Sequence, residues 1–227
     1  MIYFLTLISL CFTHFLLAEK THFLLVRHGE TSWNVEHRFS GWTDIPLNPR
    51  GKIQAEKLAR YLKAVHCDLA ALYSSDLSRA FQTAEETSKI LDLPIVKQEK
   101  LREINWGDAE GITPQEKEAL YGKEIQTLLQ TYPIRKEFWD HPVFPNAETY
   151  NALYQRLENQ LIEIANAHPG QKVAIFTHGR AIKTLIGEII DSEDCTYPVN
   201  CGIAHFIYDS ENKDRPFQFV KIENYYK

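Results

Sequence analysis

With 227 residues, 44% hydrophobic and 24% charged, the chain is long enough to bury a sizeable core and has an ordinary globular balance. A formal net charge of -5 argues against nucleic-acid binding as its main activity, yet leaves room for a small, strongly basic pocket. Four cysteines are too few and too scattered for a disulfide framework or a zinc knuckle.

The first stretch is apolar from Ile2 to Ala18 and reads as a leader over residues 1–19. It resembles a signal-peptide hydrophobic region cleaved after Ala18, although no Lys or Arg precedes it. A membrane-proximal segment and a misassigned start are the alternatives. The leader implies export or membrane tethering, with membrane contact only through an uncleaved leader. Without it a cytoplasmic protein is expected. No repeat, low-complexity run or Pro/Gly/Ser-rich linker divides the remainder, so residues 20–227 are expected to form a single domain.

His22–Val26 is β-rich and apolar, a buried strand that ends on Arg27-His28-Gly29. Asn48 reads as an N-cap with Pro49 at the first helical position, and Ile53, Leu58, Leu62 and Val65 form the expected inward stripe. A short strand follows at Leu69–Tyr73, then a Ser-Ser-Asp cap and a helix to about Leu91. Pro94–Lys97 is a further short strand. The region from Leu101 to Pro145 is irregular, with a helix expected around Thr113–Leu129. A long amphipathic helix near residues 147–168 turns Leu153, Leu157, Leu161 and Ile164 inward. Lys172–Thr177 is a continuous apolar strand ending on His178, with a helix at Ala181–Ile190. Ala204–Tyr208 and Phe217–Ile222 read as a closing antiparallel pair, and Cys195 and Cys201 before them either bridge in an oxidising compartment or remain unpaired thiols. Strands alternating with helices call for an α/β fold with a mainly parallel sheet covered on both faces, and ligands in such sheets sit beyond the strands' carboxyl ends.

Both His-Gly segments lie at such ends. Arg27 can grip two oxygens of a phosphate with its planar fork, and His28 beside it can attack phosphorus through a ring nitrogen. Gly29 lets backbone approach a ligand, and the following helix offers N–H groups to an anion. Phosphoryl transfer needs more than one cationic donor, and Arg79 and His178 stand at further strand or helix starts. It also needs a proton donor for the leaving oxygen. Glu103 is the candidate, with Asp108 and Glu110 as competitors that spacing does not rank. Each residue alone has a plainer reading: a strand-end histidine, an exposed helix arginine, a satisfied core histidine.

Taken in order, Arg27-His28-Gly29-Glu30 with Asn34, then "SGWTDIPLNPRG", "YSSDLSRAFQTA", "LREINWGDAEG" and "THG" resemble the histidine phosphatase superfamily, which includes the cofactor-dependent phosphoglycerate mutases. The resemblance implies a three-layer αβα sandwich, a phosphohistidine intermediate and, in phosphatase members, no metal or organic cofactor. By the same resemblance His28 is the nucleophile, Arg27, Arg79 and His178 form the phosphate pocket, Glu103 is the proton donor, Asn34 helps hold the phosphate, and Ser40 and Gly41 line the substrate side. The attacking ring must be neutral, so its other nitrogen is expected to donate to a backbone carbonyl, and two nearby arginines favour that form.

The "LREINWGDAEG" segment is similar to the phosphatase branch rather than to the mutases' Glu-Arg-His-Tyr-Gly. The implied function is hydrolysis of a small phosphorylated metabolite. Phosphoglycerate mutase activity, with 2,3-bisphosphoglycerate as cofactor, is the alternative, and an inactive phospho-ligand-binding member the third reading. Glu148, where phosphatases carry a Pro-Gly-Gly-Glu-Ser-like turn, reads as a helix-start carboxylate.

Overall fold

The computed structural model describes residues 20–123, 138–191 and 196–225. The leader and Cys195, and with Cys195 the pairing considered for Cys201, lie outside these residues. Among the described residues no helix is long and apolar enough to cross a membrane.

One six-stranded sheet runs β3-β2-β4-β1-β5-β6. The strands are β1 (Thr21–Arg27), β2 (Leu69–Ser74), β3 (Ile95–Lys97), β4 (Lys172–Thr177), β5 (Ile203–Tyr208) and β6 (Phe217–Glu223). β1 to β4 pair in parallel, while β5 runs antiparallel to both β1 and β6. The continuous apolar runs of β1 and β4 follow from this order: both strands are central and buried on two faces. Alternation sends Phe23, Leu25, Val173 and Ile175 to one face and Leu24, Val26, Ala174 and Phe176 to the other.

Helices α5 (Tyr150–Ala167) and α6 (Gly179–Ile190) cover the first face, and α2 (Pro49–Val65) and α3 (Ser78–Leu91) the second, which makes the three-layer αβα sandwich. Leu153, Leu157, Leu161 and Ile164 of α5 are buried as the periodicity predicts, each contributing about 1.5–3 kcal/mol of apolar transfer. Two short helices, α1 (Ser32–Val35) and α4 (Pro114–Tyr121), complete the α-helices among the described residues.

Three expectations need correction. Asn48 caps α2 through Gly51 N, but the buried face is Gly51, Ala55, Leu58, Ala59 and Leu62, with Ile53 and Val65 both 53% exposed. The start of α3 is capped not by its own Ser-Ser-Asp but by Asp44, which accepts from Ser78 N and Oγ at 2.7 Å each. The helix expected at Thr113–Leu129 ends at Tyr121, followed by Gly122 at φ +77°, and residues 124–129 lie outside the described ones.

What matters for function is which strand ends meet. β1 and β4 are parallel and in register, Arg27 opposite Thr177, and His28 N donates to Thr177 O at 3.0 Å. β2 lies on the far side of β4, and Ser75 N donates to Phe176 O at 2.9 Å. Arg27-His28, Ser75 to Arg79 and Thr177-His178 therefore leave the sheet at one edge.

Candidate active site

His28 is only 4% exposed. Its Nδ1 donates to Gly29 O at 2.7 Å, which fixes Nδ1 as the protonated nitrogen and leaves Nε2 with the lone pair. Burial, then the charges of Arg79 and Arg27, hold its pKa well below the ordinary 6.5, so the ring is neutral at pH 7. The backbone tautomer lock and the neutralising arginines are the arrangement expected of an attacking imidazole.

The role expected for Gly29 changes. A Cβ there would lie 2.7 Å from Gly51 O, so the missing side chain admits the first turn of α2 rather than a ligand, and Gly29 N donates to Thr83 Oγ1. The helix after β1 is a single turn in which a capping box serves Thr31 N and Asn34 N.

Arg79 is fully buried. Its Nη1 and Nη2 donate to Thr43 O at 3.0 Å and Gly41 O at 2.6 Å, while Nε is a buried donor with no partner among the described residues. Burial lowers its pKa to about 10, which still leaves a full cation at pH 7. Arg27 donates through Nη1 to Pro198 O and lies over the Tyr197 ring at 5.2 Å. His178 is buried, its ring 5.2 Å from that of His28, and its Nε2 lies 2.9 Å from Ser75 Oγ. With the Ser75 hydroxyl donating, the His178 proton sits on Nδ1, a second buried donor with no partner. Burial and Arg79 hold His178 well below 6.5 as well. Unsatisfied buried donors beside two guanidinium groups are what an oxyanion completes.

The three carboxylates of "LREINWGDAEG" separate by their partners. Glu103, 8% exposed, faces the cavity, with Oε2 accepting from Arg180 N and Oε1 from Ala181 N and Ile104 N at 2.9–3.0 Å. The first turn of α6 thus holds this carboxylate in place. Glu110 is spent on the chain itself, accepting from Trp42 N, Thr43 N and Trp106 N. Asp108 is exposed and accepts from Asn146 Nδ2. Glu148 is more than a helix-start carboxylate: it forms a two-oxygen pair with Arg156, whose other bonds reach Lys100 O, Arg102 O and Glu103 O. That pair buttresses the Glu103 loop from outside the cavity.

The family model described as the histidine phosphatase superfamily (branch 1) matches residues 23–213. The chain belongs to that superfamily. It is 38% identical over 165 residues to "Uncharacterized phosphatase PhoE" of Bacillus subtilis, covering 73% of this chain and 75% of that one. It is 32% identical over 168 residues to "Phosphoglycerate mutase-like protein 4" of Arabidopsis thaliana, covering 74% and 70%. The solved structure of Bacillus stearothermophilus YhfR superposes with a TM-score of 0.75 at 32% identity, covering 88% of this chain and 95% of that one.

In this member of the superfamily the strand ends open into a cavity of about 680 Å³. Arg27, His28, Asn34, Ser40, Gly41, Arg79 and Glu103 line it, with the His178 ring 5.2 Å from that of His28. Asn34 Oδ1 accepts from Thr31 N and Asn200 Nδ2, so only its amide NH2 is left for a ligand. The sequence reading missed Asn200, which also donates to His28 O, and missed Ser75, which it took only for part of a helix cap. The wall carries three more arginines, Arg38, Arg50 and Arg180, and the aromatic rings of Trp33, Phe39, Trp106 and Tyr197.

Gly41 acts through its backbone. It sits at φ +48°, its carbonyl holds Arg79, and a Cβ would come within 1.8 Å of Glu110 Oε1. Gly41→Ala is expected to lose roughly 10- to 100-fold in kcat/KM by tilting Arg79, with about 1–3 kcal/mol of stability. Kinetics and a denaturant melt test this, and wild-type values in both would contradict the cradle.

Proposed function

We propose that the protein hydrolyses small phosphomonoesters through a phosphohistidine on His28. The observation that carries this reading is the Nδ1 bond to Gly29 O, which presents a neutral Nε2 at the mouth of a pocket of buried cationic donors. In the first step Nε2 attacks phosphorus, the P–O bond to the leaving group breaks, and the Glu103 carboxyl gives that oxygen its proton. In the second a water attacks phosphorus while Glu103 takes its proton, the N–P bond breaks with its electron pair returning to Nε2, and inorganic phosphate departs. Arg27, Arg79 and His178 Nδ1–H meet the charge spread over the phosphoryl oxygens, so the chemistry needs no resident metal or organic cofactor. An intact set of all five groups speaks against a merely phosphate-binding module.

The cavity is several times the size of a phosphate group. Five arginines against two glutamates, Glu30 and Glu103, on its wall favour a substrate with a second anionic group, and the four aromatic rings favour an organic body between the two. Phosphate release across a panel of phosphometabolites, each compared with its uncharged analogue, tests this; equal kcat/KM for charged and uncharged members would remove the second-anion reading. The mutase-like "SGWTDIPLNPRG" segment supplies the competing activity. Rapid interconversion of 2- and 3-phosphoglycerate in the presence of 2,3-bisphosphoglycerate, with little free phosphate, would replace hydrolysis by mutase chemistry.

Glu103→Gln is expected to cost about 10²- to 10⁴-fold on alkyl phosphates, whose leaving oxygen needs a proton, and much less on p-nitrophenyl phosphate. Equal losses on both would assign the proton to another group.

A further inference from the structure

On the sheet face covered by α2, toward the β6 edge, His66, His205 and Glu223 turn their side chains toward one another. His66 caps the carboxyl end of α2, His205 lies in β5 opposite Leu24, and Glu223 ends the edge strand β6. α2 begins beside Gly29 and has 17 residues, so His66 lies about 25 Å from the catalytic end of that helix. We propose that these three residues bind a transition-metal dication, Zn²⁺ foremost, which clips the edge strand to the sheet and to α2.

The donor set is two imidazoles and a carboxylate, one atom from each lying within 4.8 Å of the others. Tetrahedral zinc with bonds of about 2.0–2.1 Å sets its donors about 3.4 Å apart, so a modest inward movement closes the shell. His66 is only 8% exposed, and neither of its ring nitrogens has a hydrogen bond among the described residues. Its Nε2 approaches Glu223 Oε1 only to 3.8 Å. His205 Nε2 stands 3.1 Å from Glu223 Oε2 without the alignment of a hydrogen bond. A buried imidazole with both nitrogens unserved is costly in a protein interior, and a metal ion relieves that cost.

The charge states suit the ion. Burial keeps both rings neutral at pH 7, His205 down at about 4, so each offers a lone pair. Burial acts to raise Glu223, but the hydrogen bonds from Tyr61 and Lys221 outweigh it and keep the group ionised. Tyr61, its phenol pushed up to about 12, stays protonated and donates to Glu223 Oε1, orienting the carboxylate. Lys221 holds the other oxygen at 2.9 Å with a side chain 57% exposed, and has room to move into solvent when a cation arrives. Water completes the fourth position.

The test uses tag-free chain stripped with chelator, then dialysed against micromolar Zn²⁺ and assayed by elemental analysis. One zinc per chain is expected, together with a rise in Tm and unchanged phosphatase turnover. His66→Gln and His205→Gln are each expected to abolish both the bound zinc and the Tm rise, with circular dichroism reporting that the fold persists. Co²⁺ in the stripped wild type supplies a second readout, the visible bands of a four-coordinate ion, which does not depend on the variants folding. No bound zinc in the wild type, zinc retained in both variants, or a purely octahedral Co²⁺ spectrum would each overturn the assignment.

Discussion

His28→Ala is expected to reduce turnover of p-nitrophenyl phosphate by about 10⁴-fold or more, a loss of about 5.4 kcal/mol of transition-state stabilisation, while phosphate still binds. Arg27, Arg79 and His178 remain to hold the anion, so the affinity for inorganic phosphate by calorimetry should stay within about tenfold of wild type. An alkali-quenched sample incubated with radiolabelled substrate should carry an acid-labile label in the wild type and none in His28→Ala. The competing nucleophile is His178, and the geometry argues against it. Its Nε2 is engaged by Ser75 Oγ and its Nδ1 carries the proton, so neither ring nitrogen offers a free lone pair to phosphorus. His178→Ala should therefore still accumulate labelled enzyme, more slowly. Turnover of His28→Ala within tenfold of wild type, or label that survives the substitution, would move the nucleophile elsewhere. A further consequence is visible by NMR: the His28 imidazole of the resting protein should remain the neutral Nδ1–H form well below the ordinary 6.5, because burial and two arginines oppose its protonation.

Much of the architecture could be read from strands that are apolar along their whole length and end on a polar residue. β1 and β4 announce themselves this way, and a parallel register alone brings Arg27-His28 beside Thr177-His178. The Asn48-Pro49 start of α2 was equally plain, because a cap is a local event. The face of α2 was not. It buries Gly51, Ala55 and Ala59 against neighbouring backbone and α3, and small residues leave no hydrophobic stripe, whereas Ile53 and Val65, which suggest one, face solvent. The cap of α3 was illegible for a different reason: Asp44 comes from a distant loop. The same non-local logic divides the carboxylates. Glu103 and Glu110 have similar sequence surroundings, and what separates them is that α6 donates to one while the Trp42-Thr43 backbone donates to the other. Ser75, Asn200 and Arg156 act on His178, His28 and the Glu103 loop through bonds that no spacing in the chain foretells.

The protein is also expected to lose stability steeply on mild acidification. His28, His178, His66 and His205 all have folded-state pKa values below the 6.5 of an unfolded histidine, in each case with burial as the first cause. The charges around them act with burial at the catalytic pair, where Arg79 and Arg27 oppose protonation of both rings. At the distal pair Lys172 and Lys221 also oppose it, while Glu223 pulls the other way and only partly offsets the desolvation. Below pH 6.5 the unfolded chain therefore binds protons that the folded chain refuses. The stability these neutral rings supply is complete above that pH and falls as the pH drops toward each folded-state value, about 4 for His205. Each strongly shifted histidine costs up to about 1.4 kcal/mol per pH unit through that window, so His28, His178 and His205 together approach about 4 kcal/mol per unit, against a total of about 5–15 kcal/mol for an ordinary domain. Melts of chelator-treated protein between about pH 7.5 and about pH 5.5 should show Tm level above 6.5 and falling sharply below it. His178→Asn, which removes one refused proton, should lower Tm at neutral pH yet flatten the acid slope. A Tm unchanged down to about pH 5.5 would mean that the folded protein accepts these protons after all, and with them a charged His28 that could not attack phosphorus.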